Sequence, residues 1–324
     1  MNGTERVRRA ILGMEYDRQP IYGWVAGNLD EPINKRFGSV RNFEDRYEFD
    51  IAHVFGGADP FRHEVLADIR SKYGMLRPDI MLDKGYLSDP DDIGQYEDVK
   101  AQLAFHKSRG RFCYVQTPGF IENYNGIFGI ENHLLYLAEY EDEIAELFRR
   151  QASWNKRFAR VCIDLGLDMI HISDDWGSQR DLMFSPALWE RLVYPNMKDV
   201  VDFVHNSGAL CSLHSDGCIA KVADGIARLG LDLVHPWQES AGMSLDLYLE
   251  KYKDKFAIMG GICVQTAIGV MPQDKLYAEI CRVFDALKGK RWVCCTSHFV
   301  QPHCTIEDLE FAYGLIYKKA REIR

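Results

Sequence analysis

The sequence predicts an α/β protein folded as a (β/α)8 TIM barrel, in one domain spanning residues 1–324. Three observations carry that expectation. Short runs of β-branched and aromatic residues recur along the chain, long amphipathic stretches fill the gaps between them, and several of those stretches end on glycine just before the next run. A doubly wound open sheet is the main alternative, and the absence of GxGxxG after the first strand weakens its dinucleotide-binding version.

The expected strands are 20–26 (PIYGWVA), 50–56 (DIAHVFG), 111–117 (RFCYVQT) and 167–173 (LDMIHIS). They continue at 209–214 (ALCSLH), 231–237 (LDLVHPW), 255–261 (KFAIMGG) and 291–297 (RWVCCTS). Leu134, Leu135, Leu137, Ile144, Leu147 and Phe148 give 131–166 a helical spacing over a length that holds two helices. Ser185-Pro186 is an N-cap followed by proline at the first helical position, and it predicts a helix over 185–207 closed by Gly208. Helices are expected again at 218–229, 244–252, 273–289 and 305–323, the second and last opening on Ser244 and Thr305. Residues 57–110, with Pro78 and the acidic SDPDDIGQYED, read as an insertion or capping element.

Composition narrows the function. A hydrophobic content of 47% supplies a large core, and a net charge of −9 without a basic run argues against nucleic acid or an anionic membrane as partner. No apolar run approaches the roughly 20 residues of a membrane span, and the charged N-terminus lacks a signal-peptide core. Nine cysteines without CxxC spacing suggest reduced thiols in a cytoplasmic protein.

In a barrel the chemistry gathers at the C-terminal ends of the strands, where the βα loops converge. Reading those ends gives Asn28, Asp59, Gln116, Asp174, Asp175, His214, Asp216, Gln238, Glu239, Gly261, Cys263 and His298, with Gln179 close behind Asp175. His214 and Asp216 close the 209–214 run as HSDG, which suits a metal or acid–base pair and equally a polar turn made by Gly217. Asp174 and Asp175 are costly at the end of a buried strand unless used, although a solvated cap ahead of Ser178 is the plainer alternative. His171 and His235, inside strands, are expected to be packed, and Cys294-Cys295 to fill the core. Trp176, Trp237 and Tyr124 either line a pocket or cover the barrel mouth.

The stretch SDDWGSQRDLMFSPALWERLVYPNMKDVVDFVHNSGALCSLHSDGCI resembles the middle of the uroporphyrinogen decarboxylase superfamily, in particular its corrinoid-linked methyltransferase branch. TERVRRAILGMEYDRQP is similar to that branch's opening segment, and TSHFVQPHCTIEDLEFAY to its closing strand and helix. True uroporphyrinogen decarboxylases carry an arginine-rich stretch after the first strand to hold the substrate carboxylates; GWVAGNLDEP stands here with no arginine. The zinc methyltransferases of the superfamily use a His-x-Cys pair and a later Cys. His214 keeps the His, Asp216 stands for the first Cys and His298 for the second.

The resemblance therefore implies a metal-assisted methyltransferase moving a methyl group between a small methylated substrate or thiol and a corrinoid (cobalamin-type) cofactor on a carrier protein. Zinc or another divalent metal would sit on His214, Asp216 and His298, with Cys263, Cys295 and Cys304 near the same rim. Asp174, Asp175 and Glu239 are the expected catalytic carboxylates, and Asn28, Gln116, Gln179 and Gln238 the expected substrate contacts. A second copy of the chain is a further candidate partner. Two other functions stay open: a decarboxylase of a tetrapyrrole or small acid, which would be insensitive to chelators, and a non-catalytic corrinoid or small-ligand binder, whose affinity would survive loss of both histidines.

Overall fold

The structure, a computed structural model, describes residues 1–322. Its strands are β1 (Ile51–Val54), β2 (Phe112–Pro118), β3 (Met169–Ser173), β4 (Leu210–His214), β5 (Leu233–His235), β6 (Ala257–Ile262) and β7 (Trp292–Thr296). They form one sheet in chain order, and the pairs β2–β3, β3–β4, β5–β6 and β6–β7 are parallel. Helices join successive strands, so the α/β barrel class read from the sequence is the class observed. Both faces of these strands are covered, and they carry the continuous apolar runs that a parallel sheet requires.

The expected first strand, 20–26, differs. It touches the sheet at one point, where Ile21 bridges Cys294 of β7: Cys294 N donates to Pro20 O at 3.0 Å and Tyr22 N to Cys294 O at 2.8 Å. On the other side Asp50 N donates to Ile21 O at 2.8 Å. Side chains take the remaining amides, Ile21 N going to Asp50 Oδ2 (2.9 Å) and Trp24 N to Thr296 Oγ1 (3.0 Å). With Pro20 lacking an N–H and these donors diverted, a ladder cannot propagate, and the segment holds a strand's place without being one.

The chain divides into two compact units. One comprises Met1–Ala52, His106–Cys113 and the chain from Asp232 onward. Its opening segment is anchored by charge: Arg6 and Arg18 both bind the buried Asp50, at 2.6 and 2.7 Å, while Arg6 also binds Asp17 at 2.6 Å. Two guanidiniums on one carboxylate are needed, because a buried Asp50 left alone would be heavily penalised.

The other unit comprises His53–Phe105 and Tyr114–Leu231. The expected insertion is present as helices His63–Tyr73, Pro78–Leu82 and Glu97–Lys107, with a short turn of helix at Ile93–Tyr96 whose Gly94 N–H is capped by Asp92. Its acidic stretch is held by Arg157, which pairs with Asp89 and Asp91. The stretch 131–166 is two helices, Ile130–Glu139 and Glu141–Leu165. Ser185 caps the next as expected, and its side chain accepts the Leu188 N–H. That helix widens by one residue at Trp189–Val193, where Tyr194 N donates to Trp189 O just before Pro195, which has no N–H to give. No helix among the described residues is long and apolar enough to cross a membrane.

Candidate active site at the strand ends

In the unit containing β3 and β4, register decides what the strand ends hold. Ser173 pairs with His214, so the two loops that follow start level with one another. Asp174 N then donates to His214 O (2.9 Å), Trp176 N to Ser215 Oγ (3.1 Å), and Asp216 N to Asp175 Oδ1 (2.7 Å). The loops touch backbone to backbone at two glycines. A Cβ on Gly177 would lie 2.6 Å from Cys218 N, and one on Gly217, whose φ is +81°, 2.5 Å from Ser178 O.

This stapling gathers His214, Asp175 and Asp216. His214 Nε2 stands 3.8 Å from Asp175 Oδ1 and 3.9 Å from Asp216 Oδ1. Those separations are too long for hydrogen bonds. They lie slightly above the ~3.4 Å that separates two N/O ligands around a tetrahedral zinc with bonds of about 2.1 Å. An imidazole nitrogen and two carboxylate oxygens are a competent hard donor set for a divalent ion, and small rotations of the side chains would bring them to bonding distance. The residues present therefore fit such an ion.

Asp174 does a different job from the one expected. It is fully buried, and its Oδ1 accepts the N–H groups of Ile121 (2.7 Å) and Glu122 (2.8 Å) while Oδ2 accepts Trp176 Nε1 (2.7 Å). It caps the helix Ile121–Phe128, which follows β2. Burial pushes its carboxyl up to about 6, although those N–H donors pull the other way. Gly119 leaves it room, since a Cβ there would lie 2.2 Å from the Asp174 Cβ.

Capping the helix also places Glu122, a residue the sequence reading missed. Its Oε2 accepts the Ser173 hydroxyl at 2.8 Å. Burial of the carboxyl, followed by the charges of Asp175 and Asp174, pushes Glu122 up to about 7. The residue as a whole is exposed, so solvent screens part of that push. Asp216 is also raised to about 7, by burial and then by the charges of Asp175 and Glu122. Like charges this close favour a proton or a cation among them. The signal available in the sequence was an acid in the first turn after the Pro118-Gly119 strand end.

Gln116 is half-buried on β2, level with His171, while Gln179 lies exposed beyond the stapled loops. His171 is buried with its Nδ1 2.6 Å from Ser212 Oγ, packed as its place inside a strand suggested. Trp176 serves Asp174, and Tyr124 shares a 2.9 Å hydroxyl contact with Tyr86; both are fully buried.

The other unit holds the remaining candidates. His298 follows the end of β7, its ring packed edge-on against Trp24 (centroids 5.6 Å) and Phe299 (5.4 Å). His235 packs tilted against the same Trp24, ring centroids 4.7 Å apart, and its Nε2 donates to Thr296 O at 3.1 Å; burial lowers it to about 3, so it is neutral. Gln238 Nε2 donates to Gln265 Oε1 at 3.0 Å, and the Cys263 thiol lies 3.6 Å from Ser240 Oγ. Glu239 pairs with Arg282 at 2.6 Å, and Asn28 Nδ2 donates to Val300 O at 3.0 Å, which ties its loop down. Trp237 Nε1 donates to Ser244 O at 2.8 Å. Burial raises the Cys304 thiol to about 12 and pushes Cys295 up as well, so neither is a thiolate.

Residues 125–317 match the uroporphyrinogen decarboxylase (URO-D) family. The chain belongs to that family. No curated protein matches it. Among solved structures it is similar to a methyltransferase from Methanosarcina mazei, at 13% identity over 97% of this chain and 98% of that one, with a TM-score of 0.71. It is also similar to a B12-independent methionine synthase from Shewanella sp. W3-18-1 (10% identity, 94% and 93% covered, TM-score 0.52) and to a GH113 beta-1,4-mannanase (11%, 95% and 99%, 0.51). A glycosidase and a methyltransferase in one such set show that these likenesses establish the fold; among URO-D members the activity has to come from the site.

Proposed function

We propose that this URO-D family member is a metal-assisted methyltransferase, moving a methyl group between a small methylated compound or thiol and a corrinoid on a partner protein. The observation that supports it most is the imidazole–carboxylate set of His214, Asp175 and Asp216 at the end of β4. In this reading zinc or another divalent ion would be held by His214 and Asp216, with the Asp175 carboxylate alongside. When bound, such an ion acts as a Lewis acid that lowers a thiol's pKa or polarises an ether or alcohol oxygen.

The chain's own residues would do the rest. Asp175 fixes the Asp216 loop through its bond to the Asp216 N–H. Asp174 holds the first turn of Ile121–Phe128 and so aims Glu122, whose carboxyl, raised toward neutrality, would take or return the proton of the substrate thiol or alcohol. Gln116, level with His171 on β2, would meet polar atoms of the substrate. Glu239, paired with Arg282, would orient its loop rather than move a proton.

Elemental analysis of purified protein and of His214→Ala tests the metal, and methyl exchange with methylcobalamin and candidate thiols tests the transfer. A stoichiometric divalent metal lost in the variant, with exchange in the wild type, is the expected result. Metal-free wild type that turns over regardless of chelators would overturn it.

A further inference from the structure

A second feature lies at the opposite end of β6 and β7 from Ile262 and Thr296. The loops that lead into these strands, together with the turn after the first helix (Gly3–Ile11), enclose a hollow of about 250 Å³. Gly13, Tyr16, Lys253, Asp254, Lys290 and Arg291 line it, three cations against one carboxylate in a chain whose net charge is −9. None of the three cations forms an ion pair among the described residues.

The cationic side is built rather than loose. Arg291 is only partly exposed, and its Nε donates to Ile11 O at 2.7 Å. Its stem packs on Gly13, where an added Cβ would come within 3.4 Å of the Arg291 Cγ and Cδ and where φ is +71°. Holding Nε and the stem leaves the two terminal nitrogens of the guanidinium as a fork of fixed direction. Tyr16 braces the same turn, its hydroxyl donating to the Lys290 carbonyl at 3.2 Å. A guanidinium held at Nε, in a hollow that two lysines also line, suits a tetrahedral oxyanion, which a guanidinium binds through two parallel bonds.

We propose that this hollow, lined by Arg291, Lys253 and Lys290, binds a phosphate-type oxyanion, free or at the end of a small phosphorylated molecule, at a site separate from the strand-end carboxylates. The inference goes beyond the methyltransferase reading and does not depend on it.

Isothermal titration of the full chain with inorganic phosphate and with ADP, at constant ionic strength against a chloride control, tests it. The expected result is saturable binding that falls by about tenfold or more in Arg291→Lys, which keeps the charge and loses the fork. The same loss is expected in Lys253→Ala combined with Lys290→Ala, an exposed pair whose removal leaves the tie to Ile11 intact. ADP binding more tightly than phosphate assigns the site to a phosphorylated molecule, and equal binding to the free anion. No heat beyond the chloride control, or unchanged affinity in the lysine double variant, overturns the proposal.

Discussion

The Asp175 carboxylate accepts the backbone N–H of Asp216 at 2.7 Å, so the loop after β3 sets the position of the loop after β4. Substitution should separate its two contributions. Asp175→Asn keeps an oxygen for the Asp216 N–H and loses the charge, while Asp175→Ala loses both. Zinc affinity should fall by about 10–100-fold in Asp175→Ala and by less in Asp175→Asn, with far-UV circular dichroism unchanged. Equal affinity in both variants and the wild type would remove Asp175 from the site.

Gly119 exists to admit Asp174. An alanine there puts its Cβ 2.2 Å from the Asp174 Cβ and 2.6 Å from Ser173 O, backbone that cannot move without disturbing β3. Gly119→Ala should cost about 3 kcal/mol in urea unfolding. A loss under ~0.5 kcal/mol would mean that this contact is not held in solution.

His133 makes stability depend on pH with a definite sign. Burial beside Tyr124, Phe128 and Phe148 lowers it to about 4, against an ordinary 6.5. Between those values the folded state binds fewer protons than the unfolded one. The contribution is therefore complete above pH 6.5 and lost as pH falls to 4, by up to about 3 kcal/mol. Asp174, raised to about 6, acts in the opposite direction over the same range, so bulk acid stability is uninformative. The measurable quantity is the stability difference between wild type and His133→Gln, which should shrink on acidification; a difference that stays constant with pH contradicts it.

Glu239 separates a structural tie from a catalytic acid. If its role is the half-exposed pair with Arg282, Glu239→Gln should change stability by no more than ~1 kcal/mol and leave metal content and methyl transfer intact. A large fall in turnover with unchanged metal would restore it to the chemistry.

Thiol accessibility checks the packing directly. Cys113, Cys162, Cys211, Cys294, Cys295 and Cys304 are buried, while Cys218, Cys263 and Cys281 are partly open. Native protein treated with an aromatic disulfide reagent should show fast reaction at those three alone, the rest appearing on denaturation.

Much of this protein was legible in one dimension. Strand positions follow from period and β-branching, the 185–207 helix from Ser185-Pro186, and the candidate site from which residues close each strand; these are local properties, or follow from the fold class. Other features depended on distances no sequence contains. Residues 20–26 look like a strand, but Asp50 and Thr296, 29 and 272 residues away, take two of their amides and stop the ladder. Asp174 and Asp175 are adjacent and chemically identical, yet pleat and register send one into the core as a helix cap and leave the other beside His214. Glu122 joined them because a helix capped from another strand aimed it there. The sequence by itself determined which elements form and which side chains end them; the tertiary structure decided which of those side chains meet, because register and loop stapling act between segments far apart in the chain.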